Sequence, residues 1–395
     1  VLAEKIHSAA DEVFSQAGYS IGRIDTALNE STAQDIGDVH VLGVRSRSEI
    51  TPTILKTMSR LLAVGCFSVG TDAVAADAAC SQGVPVFNAP HSSTRSVAEL
   101  TLGNIIMLAR RAGDRNNELH RGRWFKTASG SQEIRNKTLG IVGYGHIGQQ
   151  VGLLAEAIGM HVIFFDTLKK LPLGRAVPVV NLEELLKQSD FVSLHVPATP
   201  ETELLLNKKH LGLMRPEAYL LNLSRGSVVE LDALLVALKD GKLAGAALDV
   251  YPEEPTSNEA EFAMKVEGIP NLLLTPHIGG STEDAQENIG REVASSLIEF
   301  LDAGTTEGAV NFPQLKLPAF PERHRILHIH RNVPGVLSQV NKIIAELGIN
   351  VDAQFLGTAS DVGYLIMDVN RELSDEARNR IAELPESIRT RILYS

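Results

Sequence analysis

Between Lys137 and Ile278 six short apolar runs, LGIVGYG, MHVIFFD, FVSLHVP, AYLLNLS, LAGAALDV and NLLLTPHI, alternate with longer stretches, some of them amphipathic, such as LEELLKQ and ELDALLVALKDGK. Apolar runs without polar alternation are strands buried on both faces, and such strands occur in parallel sheets with helices on each side. This pattern predicts a doubly wound α/β domain. Upstream, VHVLGVRS, RLLAVGCF and VPVFNAP are spaced in the same way, with TPTILKTM between the first two, and predict a second, smaller α/β unit. The amphipathic stretch from Thr282 to Ala303 arrives after the larger sheet has ended and is expected to return to that smaller unit.

Pro318 and Pro321 in LKLPAFPE can continue neither a helix nor a central strand, so a linker is expected there. Beyond it, RILHIHRN, PGVLSQVNKIIAELG, INVDAQFLGTAS, VGYLIMDVN, SDEARNRIAEL and IRTRILY read strand, helix, strand, strand, helix, strand. That order predicts a ferredoxin-like α+β sandwich. The expected domains are therefore 1–91 with 281–317, 92–280, and 322–395.

The 395 residues exceed what one hydrophobic core organises, and 44% hydrophobic with 22% charged residues is a globular balance. With 37 basic against 48 acidic residues and no basic block, the chain lacks the field that draws proteins onto nucleic acid or anionic lipid, and neither partner is expected. No uninterrupted apolar run approaches the ~20 residues that span a bilayer; the best candidate, Leu100 to Leu108, is short and contains Gly103 and Asn104. Cys66 and Cys80 are too few for a metal cluster or a disulfide framework, so no metal and a cytosolic setting are expected. The chain begins at Val1 without a charged-then-apolar leader, which we read as a trimmed start and no targeting signal.

Gly143, Gly145 and Gly148 spell GYGHIG directly after the strand LGIV, with His146 and Ile147 opening a helix. The first glycine permits the tight turn, the second admits a pyrophosphate to the backbone, and the third lets helix and strand approach. The next strand ends in Asp166, placed to accept from ribose hydroxyls and repel a 2′-phosphate. NAD is expected over NADP. Lys169 and Lys170 are the residues that argue the other way.

Three further segments end apolar runs, where open α/β sheets place their ligands. They are NLSRGS with Arg225, LDVYPEEP with Asp249 and Glu254, and LTPHIGG with His277. Imidazole suits the proton exchange of alcohol oxidation, a carboxylate fixes its tautomer, and a guanidinium fork can hold a substrate carboxylate. His277, Glu254 and Arg225 are the candidates for these roles.

The order of these elements, GxGxxG, S-R-G, E-P and P-H-I-G, resembles the D-isomer-specific 2-hydroxyacid dehydrogenase family. The stretches SVAELTLGNIIMLAR, GRWFKTASG, KTLGIVGYGHIG and HIGGSTEDAQENIG resemble its branch that oxidises 3-phosphoglycerate, and the C-terminal unit is similar to an ACT regulatory domain. The resemblance covers essentially the whole chain. It implies a Rossmann nucleotide domain, a discontinuous flavodoxin-like substrate domain, Asp249 at the cofactor, a homo-oligomer that is a tetramer, and L-serine as effector. It implies substrate contacts at Val69, Gly70, Asn88 and Lys126, the last reaching a neighbouring subunit. Arg45 and Arg47, at alternate positions after a strand, are expected to share a face and meet a phosphate, or else to form a solvated basic patch. His330 and Asn332, read as sharing a face at a strand end before a helix, and Asn350 are implied effector contacts; a domain that only dimerises is the other reading. Two rivals remain: a dehydrogenase of another 2-hydroxy acid, and a nucleotide-sensing scaffold of the same fold.

Overall fold

A computed structural model describes the chain except for residues 38, 256–261, 263, 265, 267, 319–321, 360 and 395. Pro321 of the expected linker thus lies outside the described residues, while Pro318 lies within them. The chain divides into two compact units, Ser93–Ala285 and Val1–Ser92 with Gln286–Ser395.

In the unit Ser93–Ala285, seven parallel strands form one sheet. Their spatial order is Leu272–Leu274, Gly245–Leu248, Tyr219–Asn222, Phe191–Leu194, Thr138–Val142, His161–Phe165 and Val177–Pro178. The order reverses between Thr138–Val142 and Phe191–Leu194, as in doubly wound nucleotide-binding sheets. The four central apolar runs are strands because both faces are covered. Helices Thr94–Ala109 and His146–Ala157 pack Val97, Ile105, Leu108, Val151 and Ala155 on Leu139 and Ile141. On the opposite face, helices Leu182–Gln188 and Leu231–Lys239 pack Leu185, Leu234 and Leu238 on Val192 and Leu220.

The other unit holds a five-stranded parallel sheet in the order Arg23–Ile24, Leu2–Ala3, Val41–Val44, Ala63–Cys66 and Val86–Phe87. This is the flavodoxin-like order 2-1-3-4-5. From the helix Glu283–Ala303, the residues Ile289, Val293, Leu297 and Phe300 pack against Leu2, Phe67 and Phe87. A Cβ on Gly65 would lie 2.7 Å from both Val293 and Leu297, so glycine there sets how closely helix and sheet approach.

An antiparallel sheet in the order Val351–Ala359, Val362–Val369, His324–Arg331 and Ser387–Tyr394 completes this unit, with helices Val336–Glu346 and Ser374–Ala382. Those helices cover one face, burying Ile326, Val340, Ile344, Met367, Ala377 and Ile381. The other face is also covered: Leu327, Ile329, Tyr364 and Ile366 join Phe87, Phe300 and Phe312 in a single cluster. The C-terminal sandwich thus shares a core with the first sheet. Polar groups follow the same face. Arg325 donates to the carbonyls of Ala303 at 2.9 Å and Pro318 at 2.6 Å, Tyr364 to Gly304 at 2.7 Å, and Arg391 to Leu301 at 3.1 Å. They satisfy carbonyls that end the helix Glu283–Ala303 or follow it. No helix among the described residues is long and apolar enough to cross a membrane.

Candidate active site

Gly143 leaves the first strand of the larger sheet at φ 89°, and a Cβ there would lie 2.3 Å from the His195 carbonyl oxygen. At Gly148 a Cβ would lie 2.2 Å from the Gly143 carbonyl oxygen. Packing within the chain therefore requires both glycines. Gly145 differs, because a Cβ there meets no protein atom within 4 Å. The space such an atom would take is that of an anion approaching the start of helix His146–Ala157, whose N-cap Gly145 provides no side-chain acceptor. His146 and Ile147 form that first turn. Asp166 stands at the end of the neighbouring strand, its two oxygens each accepting a backbone N–H, from Tyr144 and from Leu168, at 2.8 Å. These bonds fix the carboxylate while leaving it lone pairs for hydroxyl donors. The loop, helix start and acid fit a dinucleotide. Lys169 is exposed.

Three adjacent strand ends bring the catalytic candidates together. His277, at φ 53°, holds its Nδ1 2.7 Å from Glu254 Oε2, and Glu254 Oε1 accepts from the Tyr251 N–H at 3.1 Å. The bond to Glu254 raises the pKa of His277; burial opposes it, and the charges of Glu254 and Asp249 add to it. Burial pushes Glu254 upward, but the His277 bond and charge, with Tyr251 N–H and Arg225, bring it below its ordinary value. Arg225 is near enough to influence both charges, and one of its nitrogens donates to its neighbour's carbonyl, Ser224 O, at 2.8 Å. Its turn is shaped by Asn222, which accepts from Ser224 and donates to the Arg225 carbonyl. Gly226 follows because a Cβ there would overlap the Tyr251 carbonyl carbon at 1.9 Å.

Asp249, expected at the cofactor, is 1% exposed. Its oxygens accept from Thr275 Oγ1 at 2.6 Å, Ile278 N–H at 2.9 Å and Gly279 N–H at 2.7 Å, so it holds the loop that carries His277. Tyr251 donates to the carbonyls of Leu248 and Thr275, tying together the two strand ends that bear Glu254 and His277. Sequence reasoning missed Asn222, Tyr251 and Thr275, although each stands within or beside a motif it singled out.

In the unit that starts at Val1, the strand Val41–Val44 ends before Arg45. The alternation expected to put Arg45 and Arg47 on one face does not apply, because both residues lie in the following turn. What brings them together is Glu4, also missed. Its carboxylate accepts the N–H groups of Arg45, Arg47 and Ser48 at 3.0, 3.0 and 2.9 Å. Nearby, Ser68 and Asn88 bind the carbonyls of Gly70 and Val69. Lys126 is exposed in the unit Ser93–Ala285, beside exposed Trp124 and Phe125.

In the C-terminal sandwich, His330 is 4% exposed and its Nδ1 lies 2.8 Å from Arg331 O. The strand ends at Arg331, so Asn332 stands past the alternation that was to place it on the face of His330. It is exposed, as is Asn350, which donates to Asp352. Among the described residues no cluster of metal-ligating side chains occurs.

Residues 102–279 match the family described as D-isomer specific 2-hydroxyacid dehydrogenase, NAD binding domain, and residues 326–389 match an AHAS small subunit-like ACT domain. A D-3-phosphoglycerate dehydrogenase of Dictyostelium discoideum is 49% identical over all of this chain and 97% of its own length. One from Escherichia coli (strain K12) is 47% identical with the same coverages. Among solved structures, a D-lactate dehydrogenase from Aquifex aeolicus, complexed with NAD and lactic acid, aligns at a TM-score of 0.70 with 28% identity, covering 79% of this chain and 99% of that one. With motifs, fold and full-length relatives in agreement, the chain belongs to the D-3-phosphoglycerate dehydrogenases, a branch of the D-isomer-specific 2-hydroxyacid dehydrogenase family.

Proposed function

We propose that this chain oxidises the 2-hydroxyl of 3-phospho-D-glycerate to 3-phosphohydroxypyruvate with NAD, the step that opens L-serine synthesis, and that L-serine inhibits it through the C-terminal sandwich. The observation that carries the catalytic reading is the 2.7 Å contact of His277 Nδ1 with Glu254, in the same unit as the glycine loop and Arg225. With Nδ1–H donated to the carboxylate, the other ring nitrogen keeps a lone pair and can take the substrate's hydroxyl proton. Arg225 holds the substrate carboxylate and polarises the oxygen on C2. The glycine loop and Asp166 would hold NAD, which when bound would supply the acceptor for the hydride on C2. His277, whose side chain reaches solvent, then releases the proton to water, and in the reverse direction donates one to the substrate oxygen.

The phosphate falls to Arg45 and Arg47, and the substrate carboxylate also to the N–H groups of Val69 and Gly70, whose carbonyls are already engaged. Lys126 adds a cation from a neighbouring subunit. Support for a homotetramer comes from the open edge strand Val351–Ala359 and from Trp124, 82% exposed. Free thiols at Cys66 and Cys80 accord with a cytosolic enzyme. Steady-state rates with NAD on 3-phosphoglycerate and on D-glycerate test the reading. The expected result is a strong preference for the phosphorylated acid; equal efficiency on both refutes it.

A further inference from the structure

We propose that Glu4 is the positioning residue of the phosphate subsite, presenting Arg45 and Arg47 to a phosphate monoester by holding their backbone. This rests on the reading of those arginines as phosphate ligands and adds the group that organises them.

The strand Leu2–Ala3 lies between Arg23–Ile24 and Val41–Val44, so its C-terminal end and that of Val41–Val44 meet where the 2-1-3-4-5 order reverses. Open α/β sheets receive ligands at that point. The chain leaves the strand through Glu4 and Lys5 at φ 61° and 50°, a left-handed pair uncommon for residues that carry a Cβ. Such outliers concentrate at functional sites.

Glu4 is 1% exposed, and every donor it takes comes from one turn. Oε1 accepts from the N–H groups of Arg45 and Ser48 and from the Ser48 hydroxyl, while Oε2 accepts from Arg47 N–H. Successive backbone N–H groups of a turn form an anion-binding concavity. Here the chain's own carboxylate fills it, which leaves the two side chains, not the backbone, to meet an external anion. Arg47 Nε stays 3.6 Å from Oε2 with its side chain 41% exposed. Arg45 is half-buried and has no hydrogen-bonded partner for its guanidinium among the described residues. Burial lowers its pKa, with Glu4 opposing and Arg47 adding. A desolvated cation whose guanidinium makes no hydrogen bond gains most from a multiply charged ligand.

The test compares the unmodified enzyme with Glu4→Gln, Ser48→Ala and the double variant Arg45→Ala/Arg47→Ala, each assayed on 3-phosphoglycerate and on D-glycerate. Glutamine offers one acceptor oxygen where the carboxylate offers two, so Glu4→Gln is expected to cost at least about tenfold in kcat/KM on 3-phosphoglycerate, carried by KM. The loss on glycerate stays within about threefold, and Ser48→Ala gives a smaller loss with the same selectivity. Should Glu4→Gln not fold, Ser48→Ala decides alone. If the double arginine variant is selective and the other variants lose equally on both substrates, or lose nothing, the role of Glu4 is overturned by itself. If the arginine variant is itself unselective, the phosphate reading falls instead.

Discussion

Replacing Glu254 by glutamine keeps the side chain's size and one acceptor but removes the charge that faces His277 Nδ1 at 2.7 Å. A hydrogen bond to a charged group is worth about 1.5–3 kcal/mol against roughly 0.5–1.5 for a neutral pair. The side chains of His277 and Glu254 are 46% and 34% exposed, so solvent screening keeps the difference near the low end, about 1–1.5 kcal/mol. As 1.36 kcal/mol corresponds to one decade in rate, kcat for oxidation should fall about five- to tenfold. His277→Ala removes the base itself and should cost about two to four orders of magnitude. Because the two residues act as a unit, the double variant should fall little further than His277→Ala. The pH profile supplies an independent sign. Glu254 raises the His277 pKa, and oxidation needs the neutral ring, so activity rises with pH through that value and is lost below it. In Glu254→Gln the acid limb should move to lower pH, and the alkaline limb of keto-acid reduction, which needs the protonated ring, should move the same way. Initial rates of NADH formation and consumption across pH measure both. An unmoved acid limb, or a Glu254→Gln loss equal to that of His277→Ala, would refute the dyad.

Asp166→Ala should lower efficiency with NAD by about tenfold or more, since it removes a ribose acceptor and the anchor of two N–H groups, and should narrow the preference over NADP; steady-state comparison of the two cofactors checks it, and an unchanged ratio counts against it. L-serine, but not D-serine, should inhibit the intact enzyme, and Asn332→Ala should weaken that response while leaving uninhibited turnover unchanged; indifference to serine at roughly millimolar concentration would leave the sandwich as a dimerisation device. Arg325→Met should destabilise the unit by about 3–5 kcal/mol, because Asp368, 1% exposed, would lose its bidentate partner, and adding Asp368→Leu should restore much of the loss. Urea unfolding of the single and double variants measures this, and a double variant no more stable than the single contradicts it.

The apolar runs located the strands because burial on both faces leaves no polar letter inside them, as in Phe191–Leu194 and Tyr219–Asn222. The glycine loop was legible for the same kind of reason: Gly143 and Gly148 answer to backbone conformation and packing, which only one residue type satisfies. Other features have no such letter. The exposed two-residue strand Val177–Pro178 is too short to show a period. In RILHIHR, alternation divides the run between two faces, Arg325, Leu327 and Ile329 on one and Ile326, His328 and His330 on the other. The letters do not say whether a second face meets solvent or a neighbour. Here the face of Leu327 and Ile329 meets Phe87 and Phe300, which joins a sandwich expected to stand apart to the first sheet.

Three carboxylates share a physical form that the sequence does not display. At three strand ends a carboxylate gathers backbone N–H groups from a functional turn: Glu4 beneath Arg45–Ser48, Asp166 beside Tyr144 and Leu168, and Asp249 beneath Ile278 and Gly279. A parallel sheet favours this arrangement because its strand ends crowd turns together at one edge, where unpaired N–H groups need acceptors. The donors belong to the main chain, so no residue type marks them, and the acid reads as one more charged letter. Asp166 stands out by its spacing from the glycine loop, Asp249 is expected at the cofactor and also holds the His277 loop, and Glu4 lies in no motif that marks it. The side chains proposed to touch substrate were legible because chemistry restricts their type. The carboxylates that position them answer to geometry, which appears only once the strands are laid side by side.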